Sequence, residues 1–247
     1  MTRQAATSTP IRIAVTAVFT SLVFVATTIF SIYVPQTRGF FNIGETMVYV
    51  TALLFGPIVG AFAGGFGSML ADLFLGYPHY ALATLIIKAC EGGVVGVLTQ
   101  RRPKFSSKLQ WKGFTVIFGL IAGVLLGAVG SLYYSGSVEL YIGFPPPESP
   151  TLNLFVPKEF WYSIGVLVIL LISLIGFVFE PEFGWLVFSI FLGGSLMITG
   201  YFLYQQFFLG VLAVAEIPVN IGQMTIGLIV ALPIVRAIRR SLPSIRI

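Results

Sequence analysis

Long stretches of this chain run for more than twenty residues without a charge, among them Ile13 to Val34, Met47 to Ala71 and Gly113 to Gly136. About 20 apolar residues in a helix cross the roughly 30 Å hydrocarbon layer of a bilayer. Only helices or closed barrels satisfy their backbone groups there. The runs lack the strict alternation of barrel strands, so a helical bundle is expected. Composition agrees: 57% of residues are hydrophobic and 9% charged, against about 25% charged in soluble domains. The run after Arg12 is too long for a typical signal peptide and lacks a small-residue cleavage site, so it reads as a retained helix.

Helices are expected near 11–33, 46–56, 58–76, 80–99, 113–134, 160–179, 184–208 and 213–238. The basic residues bear on this layout. Arg3 and Arg12 precede the first helix. Arg101, Arg102, Lys104, Lys108 and Lys112 fill one loop, and Arg236, Arg239, Arg240 and Arg246 the C-terminal tail. Lys and Arg collect on the cytoplasmic side. The 100–112 loop and the C-terminus are therefore expected there, in a multi-pass protein of the cell membrane. The formal charge of +5 then reflects orientation in a bilayer, not nucleic-acid binding. Splitting 46–76 at Gly56-Pro57 makes eight spans and puts the N-terminus on that side too, because proline breaks or kinks a helix. Such short helices need a thinned bilayer or burial within the bundle. One long helix, giving seven spans and an external N-terminus, is the alternative. The segment 135–159, with Pro145-Pro146-Pro147, reads as an irregular external loop. The turn Glu180-Pro181-Glu182 falls inside.

Small residues recur every fourth position at Gly56, Gly60, Gly64 and Ser68, with Asp72 continuing the stripe, and again at Gly119, Gly123, Gly127 and Ser131. This spacing brings helix backbones close together. Ala17 and Ser21 form a shorter small face, for internal packing or for a partner.

Charges at membrane depth are costly and mark sites or ion pairs. Lys88 and Glu91 share a helix face, with Thr84 one turn nearer the outside. Lys88 and Thr84 read as ligand contacts, Glu91 and Asp72 as structural or ion-pair groups. Glu216, Asn220 and Gln223 form a polar stripe from the outer end of the last helix, and their amides suit a heterocycle with amide-like edges. Tyr201 and Tyr204 could stack on a flat ligand or form an interfacial belt. Asn42, with Phe40 and Phe41, could close over the pocket. Cys90 and His79 are the lone residues of their types, so no internal disulfide and no Cys/His metal cluster is expected. There is no phosphate-binding G-x-x-x-x-G-K-[ST] loop and no nucleophile–base or H-E-x-x-H set. A cofactor of its own and enzyme activity are therefore not expected. Two readings of the buried charges stay open. One is a binding site; the other is a stand-alone secondary transporter or channel using Lys88, Glu91 and Asp72 as an ion or proton relay.

The segments Phe41-Asn42-Ile43-Gly44-Glu45, Leu54-Phe55-Gly56-Pro57-Ile58-Val59-Gly60-Ala61, Gly67-Ser68-Met69-Leu70-Ala71-Asp72-Leu73 and Ile87-Lys88-Ala89-Cys90-Glu91-Gly92 resemble the S component of energy-coupling factor (ECF) vitamin transporters. Gly200-Tyr201-Phe202-Leu203-Tyr204 and Glu216-Ile217-Pro218-Val219-Asn220-Ile221-Gly222-Gln223 resemble its riboflavin-type branch. The resemblance implies a six-helix substrate-binding core, here 11–103 and 184–240, within a single transmembrane domain. A hairpin at 104–183 would be an insertion. It implies partners: a transmembrane coupling subunit and two ATPase subunits that use the ATP. It also implies an external site for a vitamin-type ligand, and a small-x-x-x-small face on the first helix that docks the coupling subunit. Ala17 and Ser21 match that face, although Ala14 is followed by Val18 where the strict alanine version has another alanine.

Overall fold

The computed structural model describes residues 9–35, 37–101, 107–142, 148–150, 152–178 and 181–241. Arg3, Arg102, Lys104, Pro145-Pro146-Pro147, Glu180 and Arg246 lie outside the described residues. The helices are α1 (Thr9–Ile29), α2 (Glu45–Phe55), α3 (Pro57–Phe74), α4 (Pro78–Gln100), α5 (Lys108–Tyr133), α6 (Lys158–Val178), α7 (Pro181–Leu209) and α8 (Glu216–Ser241). A short 3-10 turn, Gly210–Ala215, joins the last two. Among the described residues, seven helices are long and apolar enough to cross a membrane, and α2 is shorter. The chain is a polytopic all-α membrane bundle.

The break at Gly56-Pro57 separates α2 from α3, so the single long helix is ruled out. Gly56 has φ 81°, a left-handed conformation that favours glycine, and Pro57 opens α3, where a missing N–H costs nothing. The eleven residues of α2 extend only about 16 Å, well short of the hydrocarbon thickness. Burial in the bundle resolves this: all but one of them, from Glu45 and Val48 to Tyr49, Ala52 and Phe55, are buried. The helix lies inside protein, not lipid.

The small-residue stripes are packing devices. A β-carbon on Gly60 would meet the Gly92 carbonyl oxygen at 2.8 Å, and one on Gly96 would meet the Pro57 nitrogen at 2.4 Å. Helices α3 and α4 therefore touch backbone to backbone. The second stripe seats α5 on α6: a β-carbon on Gly123 would lie 2.3 Å from the Gly165 carbonyl oxygen. Trp111 at the start of α5 is buried in the main core with Phe191 and Leu228, so the α5–α6 pair is part of the bundle.

Successive helices alternate in direction. The starts of α1 and α5, the α2–α3 junction and the ends of α4 and α8 meet at one end. There Trp185 Nε1 donates to the Leu98 carbonyl and Arg239 donates to the Leu53 carbonyl at 2.6 Å. Arg12, Arg101, Lys108, Lys112, Arg239 and Arg240 all belong to this end. At the other end lies a four-stranded antiparallel sheet in the order β2-β1-β3-β4. Its strands are β1 (Ser31–Val34), β2 (Gly39–Asn42), β3 (Gly136–Ile142) and β4 (Leu152–Val156). This corrects the expectation of an irregular loop over 135–159. Strand β3 finds its partner in β1, with Ile32 opposite Ile142 and Tyr33 opposite Tyr141. That pairing is long-range, so the local proline signal concealed it.

Replacing Gly92 with alanine is expected to lower stability by about 1–3 kcal/mol, because a backbone-to-backbone contact cannot yield. Gly113→Ala, where a β-carbon meets nothing within 4 Å, should be neutral or slightly stabilising. Thermal unfolding in detergent checks this, and equal losses at both positions would refute the packing account.

Candidate functional site

At the sheet end, directly beneath β2, the bundle leaves a cavity of about 40 Å³ lined mostly by polar side chains. Helix α4 contributes Tyr80, Thr84 and Lys88; α3 contributes Ser68 and Asp72; α7 contributes Tyr201 and Gln205. Helix α8 supplies Glu216, Asn220 and Gln223, α1 supplies Thr27, and the β1–β2 hairpin supplies Gly39, Phe40 and Asn42. The 3.6-residue period explains the spacing: 84 and 88, and 216, 220 and 223, each lie along one helix face.

Lys88 is the basic side chain that lines the cavity among the described residues. Its Nζ pairs with Glu45 at the start of α2 and with Glu91 Oε2 at 3.1 Å. Glu91 Oε1 accepts a hydrogen bond from the Tyr49 hydroxyl at 2.8 Å. All three charges are buried, at 5%, 1% and 0% exposure for Lys88, Glu45 and Glu91. The Nζ also stands 5.6 Å from the centre of the Tyr201 ring, within cation–π range. The Tyr201 hydroxyl donates to Thr84 Oγ1 at 3.0 Å. One turn below Glu91, Val95 is fully buried in apolar core.

The amides of α8 are held as a unit. Gln223 Nε2 donates to Asn220 Oδ1 at 3.0 Å, and Gln223 Oε1 accepts from the Asn42 backbone N–H at 3.0 Å. The Asn42 side chain in turn accepts from the Gly44 N–H at 2.8 Å. Gln223 thus ties α8 to the cap. A second tie runs from Gln205 Nε2 to the Tyr80 hydroxyl at 3.0 Å, and from that hydroxyl to the Thr37 carbonyl at 3.1 Å.

Of the residues read from sequence as ligand contacts, Lys88, Thr84, Asn42, Tyr201, Glu216, Asn220 and Gln223 line this one cavity. Tyr204 does not: its hydroxyl donates to the His79 carbonyl and its ring packs on Tyr80 and Phe208. Asp72, read as structural or as an ion-pair member, lines the cavity and makes no ion pair with a described residue. Glu91 sits in the Lys88 triad. Ala17 and Ser21 are exposed on α1, far from the cavity, beside a groove of about 380 Å³ lined by Thr20, Ser21, Phe24, Leu70 and Phe74. Sequence reasoning assigned no role to Glu45, Tyr49 or Tyr80. Glu45 was legible only as an acid in the first turn of a helix, an ordinary dipole-favoured place. Its pairing with Lys88 spans 43 positions.

A family model described as ECF-type riboflavin transporter, S component, matches residues 8–175. The match runs through α5 and most of α6 and ends before α7. A protein of Pyrococcus woesei, described as an uncharacterized protein in a gap 3′ region, is 38% identical over 128 residues. That alignment covers 49% of this chain and 86% of the relative. The thiamine precursor transporter HmpT of Lactococcus lactis subsp. cremoris (strain MG1363) is 28% identical over 131 residues, covering 52% of this chain and 78% of that protein. The chain belongs to the family of ECF-type riboflavin transporter S components, membrane-embedded transporter subunits that associate with an ECF module and a small-molecule ligand.

Removing the central cation leaves two buried carboxylates facing each other. Lys88→Met is therefore expected to cost about 3–5 kcal/mol of stability. Adding Glu45→Gln and Glu91→Gln to the same chain should recover much of it. Melting temperatures of the single and triple variants decide this, and a single variant as stable as the native protein would show that the triad holds nothing together.

Proposed function

We propose that this chain is the substrate-binding subunit of an ATP-driven importer that captures a vitamin or related small molecule from outside the cell. The single observation that carries the reading is the convergence of Thr84, Lys88, Asn220 and Tyr201, from three helices, on one cavity at the end opposite the basic residues. The ligand is riboflavin-like, a pyrimidine or thiamine precursor, pyridoxine or similar; the family match and the name of the Lactococcus relative support the flavin and the thiamine precursor. The buried apolar residue below Glu91 favours a binding pocket over an ion relay through the bundle. Energy comes from two partner ATPases acting through a transmembrane coupling subunit, and this chain needs no cofactor of its own. The exposed Ala17–Ser21 face of α1 docks that coupling subunit. The basic end, with the 100–112 loop and the C-terminus, faces the cytoplasm. In this reading α1–α4 with α7 and α8 form the binding core, and α5–α6 is an added hairpin.

Mass spectrometry of ligand retained on the purified chain tests the reading directly. A vitamin or precursor should co-purify, and Asn220→Ala should weaken its binding by about 1–3 kcal/mol in calorimetry. No retained ligand, together with no binding from a vitamin panel, would reject the proposal. Orientation is checked in whole cells lacking the native Cys90. A cysteine placed at Ser137 should react with an impermeant maleimide, and one at Ser107 should react only after the cells are opened. The reverse pattern would invert the topology.

A further inference from the structure

The cavity holds more negative charge than it neutralises. Asp72 and Glu216 line it, Glu45 and Glu91 flank Lys88, and Lys88 is the only basic side chain lining it among the described residues. Four carboxylates thus face one ammonium, and that ammonium is already shared by two of them. Asp72 and Glu216 are left over. Both are buried, at 4% and 5% exposure. Each keeps a buried oxygen, Asp72 Oδ2 and Glu216 Oε2, that has no hydrogen-bond partner. A buried polar atom without a partner is costly, and such atoms in a native structure call for an explanation.

The hydroxyls around these two groups are spent on one another and on the backbone. The Tyr201 hydroxyl donates to Thr84 Oγ1. The Tyr80 hydroxyl, held by Gln205, donates to the Thr37 carbonyl, and the Thr37 hydroxyl donates to the Val34 carbonyl, so neither proton is spent on Glu216. Glu216 reaches the cap itself: its Oε1 lies 3.0 Å from where a β-carbon on Gly39 would stand. The rings of Phe40, Tyr80 and Tyr201 line the same cavity, the last two 6.5 Å apart at 64°. Aromatic faces beside unpaired carboxylates form a cage for a cation, since the ring quadrupole and the carboxylate both attract positive charge.

We infer that the ligand carries a positively charged nitrogen, held under the hairpin between Asp72 and Glu216 against Phe40, Tyr80 and Tyr201, while Asn220 and Lys88 meet its polar, uncharged end. This rests on the substrate-binding reading and narrows it to cationic ligands. A neutral flavin would leave both oxygens unpaired, and an anionic vitamin would meet the two carboxylates that line the cavity.

The test is equilibrium binding to the full purified chain in nanodiscs. The probes are thiamine and pyridoxamine as cations, riboflavin and pyridoxine as near-neutral molecules, and pantothenate as an anion. A cation should bind tightest and pantothenate not at all. The isosteres Asp72→Asn and Glu216→Gln should each weaken the best cation about tenfold or more, the loss typical of a hydrogen bond to a charged group. Their ligand-free melting temperatures should stay equal or rise, because an uncompensated charge has been removed. Tighter binding of riboflavin, pyridoxine or pantothenate overturns the inference and leaves the substrate-binding reading standing. Unchanged cation affinity in both isosteres, with or without a lower melting temperature, assigns the carboxylates to structure and also overturns it. A panel in which no probe binds rejects the substrate-binding reading, and this inference falls with it.

Discussion

The sheet-end half of this bundle is arranged around one ammonium group placed where it cannot be hydrated. Lys88 lies between Glu45 and Glu91, and Tyr49 holds the second oxygen of Glu91. In a low-dielectric interior none of these groups is tolerable alone, because the desolvation cost of each ion is several kcal/mol. Their pairing locks α2 and α4 together. Glu45 sets the start of α2, Lys88 and Glu91 set the rotation of α4, and Tyr49 fixes the face α2 presents. A buried ion set of this kind specifies an arrangement more than it adds net stability.

Glycine makes that arrangement possible. The triad needs α4 to lie against both α2 and α3, which happens only because Gly60, Gly64, Gly92 and Gly96 let main chains touch. Ordinary side chains there would hold the helices farther apart and pull Lys88 from Glu45. The same close approach brings Ser68 and Asp72 on α3 level with Thr84 on α4, so the packing stripe of α3 becomes the wall of the cavity. Packing and binding share residues, and neither can be altered alone.

The cap is the third part. The β1–β2 hairpin is anchored from below by Gln223 to the Asn42 N–H and by Tyr80 to the Thr37 carbonyl. From the side, β3 adds a strand borrowed from the far end of α5. Two helices that a sequence reading treats as an appendage thus help to brace the roof of the site. Each polar anchor comes from a residue that also lines the cavity, so a ligand reaching Asn220 would act on the same network that holds the roof.

The helices, their approximate limits, the break at Gly56-Pro57 and the shared end of the basic residues were legible in the sequence. They follow from local physics: apolar length against bilayer thickness, the stiffness of proline, and the cost of moving Lys and Arg across the membrane. The polar positions of the cavity were legible too, because a charge or amide in an apolar helix is conspicuous and the helical period says which of them share a face. The partner that each finds was not. Glu45 meeting Lys88, β3 meeting β1, Asp72 turning to the cavity and Tyr204 turning away to His79 all depend on how the helices rotate and on segments far apart in the chain. Periodicity assigns a residue to a face. Only the packed bundle decides what that face meets, because the outcome is set by close approach summed over every neighbour.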